Sequence, residues 1–329
     1  MRHSFIFSSE NSPLTGTPVV VLGMGRSGTS VVTRVINLLG LPLCRTDYLG
    51  FGANNPEGFW ECQPLARFND RLIDYLGNDS FACSLLDVEW QRSSRVSSLN
   101  RQADRLFTRA HSGSVWLWKD PRICLTLPFW RSVWTECPAV VFVYREPLEV
   151  ALSLHRSYGH NKACSLALWE RYSRSALRAA IGMPLIAIDY ENLMREPESV
   201  IAKLGSQLRE LGAPASTDYS GAARCVSLKY GTSRGLNLRL EADADVTDKQ
   251  RSLFAQIRSL PPISAAFSTP DLPAESVSTT ELLRALGSNY GHGRRLRVAG
   301  REVVPAFRQS ARSLRSATYQ KLMKRRGQG

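Results

Sequence analysis

Val19-Val20-Val21-Leu22-Gly23-Met24-Gly25-Arg26-Ser27-Gly28-Thr29-Ser30 is the stretch whose reading decides the fold. Four apolar β-formers read as a buried strand, the glycine-rich run after them as a turn. From Thr29 onward, apolar residues at 31, 32, 35, 36, 38 and 39 follow the helical period until Gly40. Gly23-x-x-x-x-Gly28-Thr29-Ser30 has the frame of a phosphate-binding loop, with Thr29 where the ATP-binding version carries lysine. Backbone N–H groups and a helix N-terminus can surround an anion there, and glycine at 23, 25 and 28 allows close approach. The Thr29 and Ser30 hydroxyls would add donors, and Arg26 a permanent cation. Without the lysine that reaches β- and γ-phosphates, the loop suits a nucleotide whose single 5′-phosphate bears another leaving group better than ATP or GTP.

Outward from this loop, strands and helices alternate. Val115–Trp118, Ala139–Tyr144 and Leu185–Asp189 read as strands. Leu65–Leu76, Val96–Ala110, Ile123–Val133, Pro147 to about Tyr158, Ser165–Ala180 and Glu198–Leu211 read as helices. This order predicts an α/β fold, a P-loop-type parallel sheet sandwiched by helices, in a single main domain. Residues 1–17 form an N-terminal extension, 18–292 the domain, with 214–292 variable and loop-rich, and 293–329 a basic tail.

The 329 residues carry 42 Lys/Arg against 29 Asp/Glu, a net charge of +13, and the final 36 hold +10 of it. The globular part is therefore near neutral, and nucleic acid is not its expected partner. Seven scattered cysteines without a Cys-x-x-Cys pair suit a reducing compartment and argue against a disulfide framework or structural zinc. With no apolar run of membrane-spanning length and no secretory core in the first seventeen residues, a cytoplasmic protein is expected. In the tail, apolar positions from Val303 to Met323 beside Arg308, Arg312 and Arg315 outline a basic amphipathic helix. Such a helix can lie on an anionic membrane, which would make the protein peripheral to the inner face of the membrane.

Gly25-Arg26-Ser27-Gly28-Thr29-Ser30 resembles the 5′-phosphosulfate loop of bacterial sulfotransferases that use 3′-phosphoadenosine 5′-phosphosulfate (PAPS). Four segments follow in that family's order: Asn55-Pro56-Glu57-Gly58-Phe59-Trp60-Glu61, Lys119-Asp120-Pro121-Arg122, Arg145-Glu146-Pro147 with Ser153, and Asp189-Tyr190-Glu191-Asn192-Leu193. The resemblance spans about 18–212. It implies that Arg145 and Ser153 hold the 3′-phosphate, that Tyr190 lies against the adenine, and that the acceptor is an alcohol (a glycan, lipid or small molecule), with no metal required.

Lys119, at a strand end, is expected to face the transferring sulfuryl group with Arg122 nearby, and Arg26 to add electrostatic stabilisation. An acceptor hydroxyl needs a base, and Glu61, flanked by Phe59 and Trp60, is the first candidate. Glu57, His155 and His160 are the alternatives. Lys229-Tyr230-Gly231-Thr232-Ser233-Arg234-Gly235 is a candidate for a late loop over the 3′-phosphate. Two other functions compete: a magnesium-dependent P-loop kinase using Ser30 and Asp189, and a non-catalytic nucleotide- or nucleic-acid-binding protein recruited through its tail.

Overall fold

A computed structural model describes residues 15–45, 58–77, 90–111, 113–230, 240–269 and 271–287, with backbone only at 227–230. Its centre is one five-stranded sheet of β1 (Val19–Leu22), β2 (Leu117–Lys119), β3 (Ala139–Tyr144), β4 (Leu185–Asp189) and β5 (Ile263–Ser264), in the order β2-β1-β3-β4-β5. β1 pairs in parallel with β2 and β3, and β3 with β4. The short edge strand β5 is antiparallel to β4, a departure from the expected all-parallel sheet. The strand expected at Val115–Trp118 lies slightly later in the chain, so Lys119 is its last residue rather than the one after it.

Helices follow as α1 (Thr29–Leu38), α2 (Gln63–Tyr75), α3 (Ser94–Ser97), α4 (Asn100–Ala110), α5 (Ile123–Val133) and α6 (Pro147–Tyr158). After them come α7 (Lys162–Ala179), α8 (Tyr190–Arg195), α9 (Pro197–Glu210), α10 (Ser220–Tyr230) and α11 (Asp248–Arg258). Strand alternation divides the core between the two faces of the sheet. Val20, Leu22, Val140, Phe142 and Leu185 meet apolar residues of α2, α5, α6, α7 and α11. Val19, Val21, Leu117, Val141, Val143, Ile186 and Ile188 meet those of α1, α8, α9 and α10. All five residues of β3 from Ala139 to Val143 are buried, as expected for a strand covered on both faces.

The stretch 214–292 holds more regular structure than its composition suggests: α10, α11, β5 and a helix over residues 277–287. Two features account for it. Thr247 and Gln250 form a reciprocal capping box that starts α11, and Leu253 and Ile257 bury one face of that helix in the core. The fully buried Glu170 of α7 accepts hydrogen bonds from Ser276 N (2.7 Å), Ser276 Oγ (3.1 Å) and Thr279 Oγ1 (2.6 Å). It thereby caps the helix over 277–287 from another element. Arg171 grips Glu275 beside it with two bonds, at 2.5 and 2.6 Å. No helix among the described residues is long and apolar enough to cross a membrane. Most of the N-terminal extension and the whole basic tail lie outside the described residues.

Because β1 has β2 on one side and β3 on the other, the chain reverses its direction of sheet growth at β1. In open parallel sheets, the crevice beyond the strand carboxyl ends at such a point is where ligands bind. The turn after β1, Lys119, Arg145 and Asp189 all lie at that edge.

Candidate functional site

The turn after β1 is shaped by glycines whose surroundings differ. Gly28 has φ 92°, and a Cβ there would lie 2.0 Å from Cδ2 of Tyr190. Gly23 has φ 146° and would meet the Val143 carbonyl oxygen at 2.4 Å. These two are held to glycine by the protein's own packing. Gly25 is not: its φ lies outside the left-handed region, and an added Cβ would approach nothing nearer than Pro121 Cγ at 3.9 Å. A glycine without crowding from its own chain leaves open backbone on the turn, as close approach of an anion requires. α1 starts from Gly28, which makes no side-chain capping hydrogen bond, so its N-terminus faces the turn without the usual cap. Ser27 and Thr29 are buried within the turn.

Arg26, at φ 76°, is one of two described non-glycine residues in the left-handed region, the other being Trp60. Its Nε donates to Ser153 Oγ on α6 at 3.0 Å, and its carbonyl accepts from Arg145 Nη1 at 3.4 Å. Arg145 extends from the end of β3, sets its guanidinium 4.7 Å over the Tyr190 ring and pairs with Glu149 at 2.8 Å. Arg26, Arg145, Ser153 and Tyr190 thus form one cluster, in which Arg26 of the turn touches both residues expected at the second anion subsite. Burial lowers Arg26 from its ordinary value; Arg145 acts the same way, while Tyr158 and Tyr190 oppose it. Two cations are therefore held close together at a partly desolvated edge. Tyr190 is buried against Gly28 and Arg145. Glu146 caps α6 by accepting from Glu149 N at 2.9 Å, and burial, with the carboxylates of Glu191 and Glu149, lifts it to about 7.

A second cluster forms around Glu61. The carboxylate accepts from Lys119 Nζ at 2.7 Å through Oε1 and from Arg122 Nη1 at 3.2 Å through Oε2. Lys119 is 2% exposed and Glu61 5%, so this is a buried ion pair rather than a surface one. Arg122 also reaches Asp120 at 2.8 Å and Asp70 at 2.5 Å. Burial alone would lower Arg122, but Asp120, Glu61 and Asp70 outweigh it and raise it well above its ordinary value. Glu61 follows a turn in which Gly58 takes φ 93° freely and Trp60 is held at a strained φ of 56°. Ser30 Oγ donates to the Phe59 carbonyl at 3.3 Å, and Arg34 lies 4.9 Å over the Trp60 ring. The helix that follows the phosphate-type loop therefore also holds the segment bearing Glu61.

Other candidates are engaged elsewhere. Asp189 caps α8, accepting from Glu191 N at 2.8 Å and Asn192 N at 3.3 Å. His155 Nδ1 is 2.8 Å from the His160 carbonyl, and His160 is buried. Glu57 and Gly231–Gly235 lie outside the described residues. Cys124 and Asn69 were not singled out by sequence. Cys124 Sγ accepts from Gly23 N at 3.3 Å beneath the loop, and burial pushes its thiol up to about 12. Asn69 Nδ2 donates to Asp120 Oδ2 at 2.8 Å.

No family model matches the chain, and no curated protein matches it. Among solved structures it is similar to the sulfotransferase domain from the curacin biosynthetic pathway. That likeness has 15% identity and a TM-score of 0.40 over 76% of this chain and 100% of that one. It is also similar to the sulfotransferase domain from the Synechococcus PCC 7002 olefin synthase, at 19% identity, TM-score 0.38, 84% of this chain and 98% of that one. Neither likeness is close.

Proposed function

We propose that this protein transfers a sulfuryl group from PAPS to an acceptor hydroxyl and releases adenosine 3′,5′-bisphosphate (PAP). The observation that carries this reading is the joining of Arg26, Ser153 and Arg145 at the carboxyl edge of β1 and β3. Arg26 lies more than a hundred positions from Arg145 and Ser153 in sequence, yet the three place two cations and a hydroxyl beside a loop that lacks the nucleoside-triphosphate lysine. A donor with phosphate groups at both ends of its ribose matches such a pair of cations. In the ligand-binding roles, Gly25 to Ser30 hold the 5′-phosphosulfate, and Arg145 with Ser153 the 3′-phosphate.

In the reaction, the acceptor oxygen forms a bond to sulfur as the bond from sulfur to the phosphate's bridging oxygen breaks. The hydroxyl proton passes to Glu61. Before transfer, the charges of Glu61 and Lys119 balance across 2.7 Å. Once Glu61 takes the proton, Lys119 loses its counter-charge just as negative charge builds on the leaving oxygen. A cation released within a buried site stabilises that charge strongly. Arg26 acts by electrostatics alone, since a guanidinium does not give up its proton.

The kinase reading needs Asp189 for magnesium, and one oxygen of that carboxylate, Oδ1, already caps α8. The binder reading does not account for the buried Glu61–Lys119 pair. A membrane role for the tail and a cytoplasmic location remain part of the proposal, tested by co-sedimentation with anionic vesicles before and after truncation at Gly293. The reaction itself is tested by incubating enzyme and PAPS with candidate alcohols and following the mass of one added SO₃ group. PAPS-dependent addition that Glu61→Gln slows by about 10²–10⁴-fold supports the assignment; addition unaffected by that change removes Glu61 as the base.

A further inference from the structure

A carboxylate that serves as a base must present a lone pair in a fixed direction, yet its terminal torsion is soft. Lys119 alone does not fix it: an ammonium is a point charge whose donors rotate with the carboxylate. Arg122 holds the second oxygen of Glu61 with a planar guanidinium, and that guanidinium is itself anchored. Asp120 Oδ1 accepts from both Arg122 Nη1 (2.8 Å) and Arg122 N (2.9 Å), and Asp70 takes Nε. The other oxygen of Asp120 accepts from Asn69 Nδ2, and Asn69 Oδ1 accepts from Trp130 Nε1 (2.8 Å) and Thr126 Oγ1 (3.1 Å). Asp120, Asn69, Thr126 and Trp130 are all fully buried. A continuous polar chain thus runs from Glu61 into the packed interior between α2 and α5.

We propose that Arg122 is a positioning residue that orients the Glu61 carboxylate, with Asp120 and Asn69 as its buried footing. Its Nε and Nη1 are directed at three carboxylates, those of Asp70, Glu61 and Asp120. This inference rests on the sulfuryl-transfer reading for its consequence in rate, but its geometric core stands apart from that reading. Misplacing a reacting group by about 1 Å costs on the order of 10²-fold in rate.

Turnover of the full chain and of Arg122→Lys, Glu61→Gln and the double variant gives the test. PAP binding is measured by calorimetry, and a crystal structure is determined for Arg122→Gln. Arg122→Lys should lower kcat by about 10²-fold, leave PAP affinity unchanged, and cost nothing further in the Glu61→Gln background. In the Arg122→Gln crystal the Glu61 carboxylate should be rotated or split between conformers. An equal loss with and without Glu61, or an unmoved Glu61, overturns the proposal. Loss of PAP binding by the unaltered protein would instead overturn the sulfuryl-transfer reading, and the Glu61 position in the crystal would still decide the role of Arg122.

Discussion

Gly25 and Gly28 occupy one turn for different reasons, and substitution separates them. Gly28→Ala brings a Cβ onto the Tyr190 ring at a left-handed φ. Strain and overpacking together should cost about 2–5 kcal/mol of stability, read from urea unfolding. Gly25→Ala meets no such obstacle and should unfold near the unaltered protein while binding PAP more weakly. Unchanged PAP affinity in Gly25→Ala would mean that no anion approaches that backbone. Arg145 makes a sharper case. If it holds the 3′-phosphate, Arg145→Ala should lose about 1.5–3 kcal/mol of PAP binding, roughly 10–150-fold, while 5′-AMP binds as before. Equal losses for both nucleotides would place Arg145 at the 5′ end. The Gly25–Ser30 run and Arg145 were legible from sequence because each follows directly on an apolar strand. The Arg145–Glu149 pair and the Arg26–Ser153 bond were not, since facing charges and hydroxyls on adjacent elements leave open which partner wins.

Among the elements, α4 ends on a histidine that sequence reading passed over. His111 is buried among Phe107, Trp116 and Trp118, and neither ring nitrogen has a hydrogen-bond partner among the described residues. Burial lowers it from 6.5 to about 3. The folded state therefore refuses a proton that the unfolded chain accepts. Stability should be intact above about pH 6.5 and fall as pH drops from there toward 3. At pH 4.5 this amounts to about 2–3 kcal/mol. Urea midpoints at pH 7 and 4.5 should differ less in His111→Phe than in the unaltered protein; an identical pH response in the two would show that His111 is not the group responsible. Periodicity placed α4 well, but an aromatic cluster assembled from α4, β2 and α5 leaves no mark on any one of those segments.

At the scale of the whole molecule, the C-terminal part of the described chain is bound to the sheet domain through α7. Glu170 reaches Ser276 and Thr279 across more than a hundred residues, which is why composition alone made 214–292 look loop-rich. Glu170→Ala leaves these donors buried without an acceptor and should cost about 3 kcal/mol. Unfolding should remain a single transition by both fluorescence and far-UV dichroism. Two separated transitions would mean that this part folds independently. The parallel sheet and its carboxyl edge were readable in advance because buried strands are short Val-rich runs. The antiparallel β5 was not, since two residues carry no period. The clustering of Arg26 with Arg145, and of Glu61 with Lys119, follows from the strand order β2-β1-β3, which no local pattern encodes.

The most direct measurement is calorimetric titration of the full chain with PAP, 5′-AMP, 3′-AMP and ATP, each with magnesium and with chelator. Tight PAP binding that ignores magnesium and exceeds that of either monophosphate is the expected result. Magnesium-dependent ATP binding, with PAP no better than 5′-AMP, would contradict the claim that this edge holds a nucleoside by two phosphates.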